Sequence, residues 1–240
     1  MAVTYSQLGK TGRLGNMLFE IAATVALAIR NNDQYLFPPW EYENDFNLHG
    51  CFSTTINVTN VFREAAFTYQ PITYEPNLDL VGFFQSERYF KDVKNIIIPL
   101  LTPKNGFGIK WGYTSIHVRR GDYTRLTAEY EQLDMDYYKA AMEIARTEKY
   151  LVLSDDIEWC KSKFKGDQFI FSEGNSPVTD LSYAIACENS IISNSSFSWW
   201  GAYLNKNPSK IVVAPQKWFG KALPHDTTDL LPKEWIKIDV

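Results

Sequence analysis

The sequence has few of the residues that build disulfide frameworks, metal sites or histidine-based catalytic groups. Its 240 residues include three cysteines and three histidines. Cys51, Cys160 and Cys187 lie far apart and form no CxxC pair, and such an odd, sparse set is typical of a reducing compartment. No GxSxG elbow and no Walker sequence occurs. These absences exclude a disulfide-stapled domain and leave no basis for a Ser-His-Asp hydrolase or a P-loop enzyme.

The sequence also lacks a membrane-spanning run, a secretion signal and an excess of basic residues. Its longest apolar stretch covers residues 21–29, whereas about 20 apolar residues are needed to cross a bilayer. The N-terminal MAVTYSQLGK shows no basic-then-apolar signal pattern. The net charge of −4 gives no support for nonspecific nucleic-acid binding. We therefore expect a cytoplasmic protein with no integral membrane segment and no nucleic-acid partner.

The composition that remains is typical of a globular protein. Hydrophobic residues make up 45% of the chain and charged residues 22%, which suits a folded chain rather than a disordered one. Aromatic residues reach 15%, with seven tryptophans. Most of these rings are expected in the core, although sugar-handling proteins also use flat apolar faces. A chain of this length forms one large domain or two small lobes.

The N-terminal part is irregular in its patterns. A short strand near Val3 and a glycine turn precede an apolar helix over about residues 17–30. Residues 31–80 are rich in Asn, Pro and aromatics and show only weak period-two signals around residues 54–62. We predict a small, irregular lobe over residues 1–110.

Strands and helices alternate regularly from residue 111 onward. Apolar strands are expected at YTSIHV, YLVL, QFIF, SIIS and KIVVAP, with helices between them. Thr179 or Asp180 is the expected N-cap of the helix in VTDLSYAIACE. This alternation predicts a parallel sheet covered on both faces, so residues 111–240 form a doubly wound, Rossmann-like lobe.

Three polar segments follow three of the predicted strands. RRGDY follows SIHV, SDD follows YLVL, and NSSFS follows SIIS. In a doubly wound sheet, ligands bind outside the carboxyl ends of the strands. The three segments are therefore expected to line one crevice.

Two adjacent arginines, Arg119 and Arg120, lie in the first of these segments. A guanidinium group matches phosphate geometry, so the pair predicts an anionic ligand such as a diphosphate. The alternative is that one arginine forms a structural ion pair with Asp122 or Asp155. His117, just before them, is expected to be a packed or hydrogen-bonded group more often than a base.

The other two segments supply carboxylates and hydroxyls. Asp155 or Asp156 in SDD is expected to accept hydrogen bonds from a ribose or a base, or to cap the following helix. In SNSSFSWWG, the serines are predicted to contact a diphosphate at a helix N-terminus. Trp199 and Trp200 are predicted to pack that helix on the sheet, with sugar stacking by one ring as the alternative.

Two further segments have weaker signals. GRLGN, from Gly12 to Asn16, joins a strand to a helix, and its glycines allow close backbone approach to an anion. Asp134 and Asp136 form a DxD sequence, which can hold a divalent metal in some transferases. Its place at the start of a helix favours capping instead, and we expect no metal site.

Taken together, seven segments resemble the α-1,2-fucosyltransferases, glycosyltransferase family 11. They are GRLGNMLFE, GFFQSERYF, HVRRGDY, YLVLSDDIEW, IISNSSFSWWGAYLN, KIVVAPQKWF and LLPKEWIKI, in the family's order and spanning nearly the whole chain. The resemblance implies a GT-B-like α/β fold with two Rossmann-like lobes facing a cleft. It also implies a GDP-sugar donor, a glycan acceptor, inversion at the anomeric carbon and no cofactor or metal. Met17 replaces a usual glutamine, and the N-terminal lobe is short.

The resemblance assigns roles residue by residue. The implied donor-binding residues are Gly12, Arg13, Gly15, Asn16, His117, Arg119, Arg120, Ser154, Asp155, Asp156, Asn194, Ser195, Ser196, Phe197 and Ser198. The predicted catalytic residues are Arg120, Asp122 and Asn16. Asp122 is the candidate base and Glu129 the second, since both are carboxylates that follow the arginines.

The sequence therefore predicts transfer of L-fucose from GDP-fucose to a hydroxyl, O2 of a galactoside in the first instance. One alternative is transfer of another GDP-deoxyhexose such as rhamnose, because an apolar sugar pocket discriminates small changes poorly. A second is a glycan-binding protein without catalysis. A third is a metal-dependent transferase that uses Asp134 and Asp136.

Overall fold

The computed structural model describes residues 1–106 and 110–239. The chain forms two compact units, one of residues 1–104 with 225–232 and the other of residues 105–224 with 233–240. Each unit has its own parallel sheet, which confirms the α/β class. The division predicted from the sequence assigned all of residues 111–240 to one lobe, whereas 225–232 cluster with the first unit. In the described part of the chain, no helix has the length and apolar character needed to cross a bilayer.

The first unit contains a four-stranded sheet in the order β2-β1-β4-β3. Its strands are β1 (Ala2–Thr4), β2 (Gln34–Leu36), β3 (Asn60–Arg63) and β4 (Leu78–Val81), all parallel. Its helices are α1 (Leu14–Arg30) and α2 (Lys94–Leu101). Nearly every residue of α1 up to Ala28 is buried, because the run of Leu, Ile, Val and Ala lets the helix pack on all sides. The chain between β2 and β3 is irregular, as expected.

The second unit contains a six-stranded sheet in the order β10-β9-β8-β5-β6-β7. Its strands are β5 (Lys110–Val118), β6 (Lys149–Ser154), β7 (Phe169–Phe171), β8 (Cys187–Ile191), β9 (Val212–Pro215) and β10 (Ile236–Ile238). Its helices are α3 (Met135–Ala145), α4 (Ile157–Lys163), α5 (Pro177–Ala186) and α6 (Ser196–Tyr203). All strand pairs are parallel, which confirms the doubly wound prediction.

Two details of the second unit differ from the sequence-based prediction. The N-cap of α5 is Ser176, whose hydroxyl accepts from the Thr179 N–H, so neither Thr179 nor Asp180 caps it. Pro177 follows the cap at the first helical position, where its missing N–H costs nothing. The last strand of the chain, β10, was not predicted. Its three residues include an exposed lysine and give no apolar run.

The strand order defines a switch point in the second sheet. The chain runs from β5 through β6 to β7 on one side and then returns to β8, β9 and β10 on the other. The crevice between the diverging loops therefore lies at the carboxyl ends of β5 and β8, where doubly wound sheets bind ligands. RRGDY follows β5 and NSSFS follows β8.

Trp199 and Trp200 of α6 are fully buried. The Trp199 ring stacks on Tyr203 at 4.5 Å and lies 5.4 Å from Trp235 between ring centroids. Both tryptophans are therefore packing residues, as predicted. Neither ring has a face open to a sugar.

Candidate active site

Arg119 is held by two carboxylates on neighbouring loops. Its guanidinium group donates to Asp122 and to Asp155 and lies 4.8 Å from the centre of the Tyr123 ring. Its side chain is 11% exposed. Since both ends of the guanidinium group are engaged by the protein, Arg119 forms the structural ion pair that was the alternative to anion binding.

Asp155 ties the loop after β5 to the loop after β6. Besides Arg119, it accepts hydrogen bonds from the backbone N–H groups of Arg120 at 2.9 Å and Gly121 at 3.1 Å, both at Oδ1. A Cβ atom at Gly121 would lie 2.4 Å from Asp155 Oδ2. The glycine of RRGD is therefore required by the close approach of this carboxylate.

Arg120 is held differently from Arg119. Its Nε donates to Asp156 Oδ2 at 3.1 Å, and its guanidinium carbon lies 4.1 Å from the centre of the Trp159 ring. Within the described residues, its two terminal nitrogens have no hydrogen-bond partner. The orientation of Arg120 is thus fixed through Nε and through the face of the Trp159 ring. Its two terminal nitrogens, called its fork below, stay available for an anion.

Asp156 also caps α4, as one of the two sequence-based interpretations proposed. Its Oδ1 accepts from the Trp159 N–H at 3.3 Å. Its own N–H donates to Ser154 Oγ at 2.9 Å. The two oxygens of one carboxylate therefore start the helix and orient Arg120 at the same time.

His117 spans the switch point between β5 and β8. Its Nδ1 lies 2.8 Å from Ser193 Oγ, and its ring lies 5.1 Å from Phe197 between ring centroids. Burial lowers the pKa of His117 to about 4, with Arg119 acting in the same direction and Asp155 opposing. The imidazole is therefore neutral near pH 7 and is a hydrogen-bonded packing group, as the sequence favoured.

The loop after β8 uses most of its polar side chains to hold its own shape. Asn194 Nδ2 donates to the carbonyls of Glu131 at 3.0 Å and Trp218 at 2.8 Å. Ser198 Oγ donates to Ser193 O at 3.1 Å and to Ser195 O at 3.0 Å.

The remaining predicted site residues of this loop, Ser195, Ser196 and Phe197, lie where α6 begins. Ser195 is its N-cap, but the Ser195 side chain makes no capping hydrogen bond. Ser196 and Phe197 are half-buried in the first turn. The polar groups presented at this point are therefore the Ser195 hydroxyl and the N–H groups of the first turn, a combination that favours an anion.

The two candidate bases differ in position. Arg119 and Arg120, with the aspartates that pair with them (Asp122, Asp155 and Asp156), form the arginine cluster. Asp122 belongs to it through Arg119, and the Asp122 side chain is 45% exposed. No hydrogen bond or ion pair in the described chain joins the Glu129 side chain to either arginine, and its backbone carbonyl binds Gly220 N–H at 2.8 Å. Of the two carboxylates, only Asp122 lies in the cluster.

The DxD sequence starts α3, as expected. Asp134 Oδ1 accepts from the N–H groups of Asp136 at 2.9 Å and Tyr137 at 3.3 Å. The Asp136 side chain is 80% exposed and lies 3.4 Å from Lys139 Nζ. Helix capping accounts for Asp134.

The GRLGN segment lies in the first unit, between β1 and α1. Gly12 has φ of +71°, and a Cβ atom there would lie 2.5 Å from Asn16 Nδ2. Asn16 Oδ1 accepts from Gln85 Nε2 at 3.0 Å. Arg13 is the N-cap of α1 and has an extended backbone conformation. Gly15 is buried in the first turn of α1. The glycine therefore permits the packing of Asn16 against its own loop.

Two carboxylates in the first unit, Glu20 and Glu64, were missed by the sequence reasoning. Glu20 of α1 is fully buried, and neither of its oxygens has a hydrogen-bond partner among the described residues. Glu64 follows β3 and accepts from two backbone N–H groups of the segment after β4. A lone glutamate inside an apolar helix is a signal that could have identified Glu20, whereas nothing in the sequence indicates the partners of Glu64.

A parallel α/β sheet with an oriented arginine and a helix N-terminus at its switch point is an arrangement that favours anionic ligands of the phosphate type. Comparison with known proteins makes this more specific. The model of glycosyl transferase family 11 matches residues 77–239. The chain belongs to this family and is an enzyme, a glycosyltransferase of the fucosyltransferase type.

Individual proteins are also similar to the chain. An "Alpha-1,2-colitosyltransferase" of Escherichia coli is 29% identical, with all of both chains covered. "Galactoside alpha-(1,2)-fucosyltransferase 1" of Sus scrofa is 24% identical over 80% of this chain and 63% of that protein. Among solved structures, the NodZ α-1,6-fucosyltransferase soaked with GDP-fucose matches with a TM-score of 0.48 and 12% identity, covering 84% of this chain and 91% of that one.

Proposed function

We propose that this enzyme transfers L-fucose from GDP-fucose to O2 of a galactoside, with inversion at the anomeric carbon and without a metal ion. The family and the α-1,2 linkage in the names of both sequence relatives support the reaction type. The observation that carries the donor assignment is Arg120, whose fork is oriented by Asp156 and Trp159 and has no partner of its own among the described residues.

In this proposal the diphosphate lies between the Arg120 fork and the first turn of α6. Two arginines and three aspartates make up the cluster, so its formal charge is negative before the donor binds. A diphosphate is therefore attracted by directed groups and not by net charge: one guanidinium fork, the Ser195 hydroxyl and backbone N–H groups. Asp155 and Asp156 already accept hydrogen bonds from the protein, so their main role is to position the arginines.

The reaction is a single displacement. The acceptor oxygen forms a bond to C1 of the sugar while the bond from C1 to the diphosphate oxygen breaks, and the departing GDP takes the electron pair. Arg120 stabilises the charge that develops on the diphosphate, and fixed donors of this kind contribute about 3–4 kcal/mol each to the transition state. Asp122 accepts the proton of the acceptor hydroxyl. In the structure its Oδ1 pairs with Arg119.

A donor-by-acceptor screen with the product linkage determined by NMR tests this function. Arg120→Ala is expected to lower turnover by about a hundredfold or more, since it removes one preorganised donor. Arg125→Ala is the matched control, because Arg125 is an exposed arginine in the same loop, and it should stay within about threefold of wild type. Near-normal turnover of Arg120→Ala would remove the diphosphate assignment.

Metal independence has its own test. Because Asp134 is a helix cap and Asp136 pairs with Lys139, we expect turnover to persist in EDTA. Loss of turnover in EDTA that is restored by Mn²⁺ or Mg²⁺ would show that a metal is required.

A second donor is favoured by one specific finding. The relative that aligns along the full length of both chains is named a colitosyltransferase. Transfer of another deoxyhexose from its nucleotide-activated form is therefore the alternative within the same chemistry. GDP-fucose, GDP-rhamnose and GDP-colitose should be compared by kcat/KM, and a higher value for either of the last two would replace fucose in the proposal.

A further inference from the structure

The segment after β4, Gly82–Gln85, has an unusual backbone. Phe84 has φ of +51° and Gly82 has φ of +149°. Positive φ is uncommon for a bulky side chain and persists only where the surrounding structure imposes it. This segment belongs to GFFQSERYF, to which the sequence assigned no role.

Glu64 imposes this conformation. Its Oε2 accepts from the N–H groups of Phe83 at 2.8 Å and Phe84 at 3.1 Å. On the other side, the Tyr5 hydroxyl donates to Gly82 O at 2.9 Å. A Cβ atom at Gly82 would lie 2.4 Å from Glu64 Cβ, so the carboxylate can approach only because residue 82 is glycine.

The turn presents one aromatic ring to solvent. Phe84 is fully buried, and its ring lies 5.2 Å from that of Tyr89 between centroids. Phe83 next to it is 40% exposed. A turn that is fixed by the half-buried Glu64 carboxylate and by its neighbouring ring thus carries one apolar ring face outward.

Gln85, two residues after Phe83, joins this turn to the GRLGN segment through its side-chain amide. Gln85 Nε2 donates to Asn16 Oδ1 at 3.0 Å, and Gln85 is 8% exposed. β4 and β1 are neighbours in the parallel sheet, so the turn after β4 and the GRLGN segment after β1 leave the same sheet edge. An exposed flat aromatic face at this edge of the sheet suits a sugar ring, one face of which carries C–H groups.

We propose that the Phe83 ring binds the apolar face of a sugar ring of the acceptor, and that Glu64 is a positioning residue that holds Phe83 in place. This inference rests on the proposed function, since it assumes a glycan acceptor. We assign the acceptor and not the donor because the arginine cluster for the diphosphate belongs to the other sheet, at the ends of β5 and β6.

Kinetics of four variants in the full chain test the proposal. Phe83→Ala should raise the acceptor KM roughly tenfold, the factor that corresponds to 1.4 kcal/mol, with the donor KM unchanged. Phe83→Tyr, which keeps the ring, should stay close to wild type, whereas Phe83→Leu, which keeps only apolar bulk, should resemble the alanine variant. Ile96→Ala is the control, because Ile96 lies in the same unit and is 39% exposed.

Glu64 is tested by graded substitution. Glu64→Ala should raise the acceptor KM more than the donor KM, and Glu64→Gln, which retains one accepting oxygen, should recover part of the loss. A merely structural role would instead lower the amount of folded enzyme and leave both KM values as they are.

Saturation-transfer NMR with methyl β-galactoside separates this proposal from the proposed function, because it measures binding without turnover. If wild type binds the galactoside and Phe83→Ala loses the signal, the inference holds even where no donor is turned over. The inference is overturned if Phe83→Ala binds like wild type, if Phe83→Leu binds as well as Phe83→Tyr, or if only the donor KM changes. Failure of every donor and acceptor pair in wild type would contradict the proposed function alone.

Discussion

Glu20→Gln should make the protein more resistant to unfolding at alkaline pH. Glu20 is fully buried in α1, and burial raises the pKa of its carboxyl from 4.5 to about 8, with the Tyr5 hydroxyl acting in the opposite direction. The unfolded chain therefore releases the Glu20 proton near pH 4.5 while the folded chain keeps it. The stability that the neutral carboxyl contributes is complete below pH 4.5 and is lost as the pH rises toward 8.

The magnitude follows from the size of the shift. Each pH unit between the two pKa values lowers the free energy of unfolding by about 1.4 kcal/mol, so the full shift corresponds to roughly 5 kcal/mol as an upper limit. A glutamine at this position has no proton to release. The difference between variant and wild type should thus grow from pH 5 to pH 8 and remain constant above it.

Urea unfolding at pH 5, 6.5, 8 and 9, with hydrogen exchange of α1 as a local probe, measures this difference. Glu75→Gln is the control, since Glu75 is an exposed glutamate in the same unit, and it should show no such growth with pH. The reasoning would be refuted if the free energies of unfolding of wild type and Glu20→Gln differed by the same amount at every pH. Such a result would show that Glu20 ionises normally in the folded chain.

Three further predictions concern single residues of the two units. Gly12→Ala should lower kcat more than Gly9→Ala: both residues have positive φ, which costs about 1–2 kcal/mol for a residue with a Cβ, but the new Cβ meets the Asn16 side chain at 2.5 Å in the first case and only Trp40 at 3.7 Å in the second. Equal kcat values would show that the position of Asn16 is unimportant. The His117 imidazole should show no ionisation between pH 5 and 8 by NMR, and its contribution to stability should fall as the pH drops from 6.5 toward 4; a titration near pH 6.5 would contradict its burial. Trp199→Ala should lower the free energy of unfolding by about 3–5 kcal/mol because the ring is fully buried, and a change below about 1 kcal/mol would contradict its packing role.

The second unit was the more predictable part of the fold. Apart from β10, its strands are short apolar runs between turn signals, and each strand from β5 to β8 is followed by a helix, so local pattern and tertiary structure agree. The cap of α5 was assigned too late in the chain because Thr179 and Asp180 are good capping residues, while Ser176 precedes a proline that the helix accepts at its first position. In the first unit, β4 has only four residues and lies between irregular segments, which leaves no periodicity to detect.

The candidate site was predictable as a set of loops but not as a set of contacts. The position of RRGDY, SDD and NSSFS after strands places them at one sheet edge, and β5, β6 and β8 are indeed neighbours. The sequence does not show that Arg119 is occupied by two carboxylates while Arg120 keeps its fork, because that difference depends on the directions of side chains from separate loops. Glu64 and Phe83 were missed for the same reason: their relation is made by folding across β3 and β4.

The contact between Gly121 and Asp155 has a consequence for altering donor preference. One carboxylate fixes the backbone of the loop after β5 from its place after β6, and it leaves no room for a side chain at residue 121. If only one of these two loops were replaced by that of a relative, the contact between the carboxylate after β6 and the backbone after β5 would be lost. The unit of exchange in such engineering is therefore the pair of loops, and chimeras that move both together should fold and bind where single grafts do not.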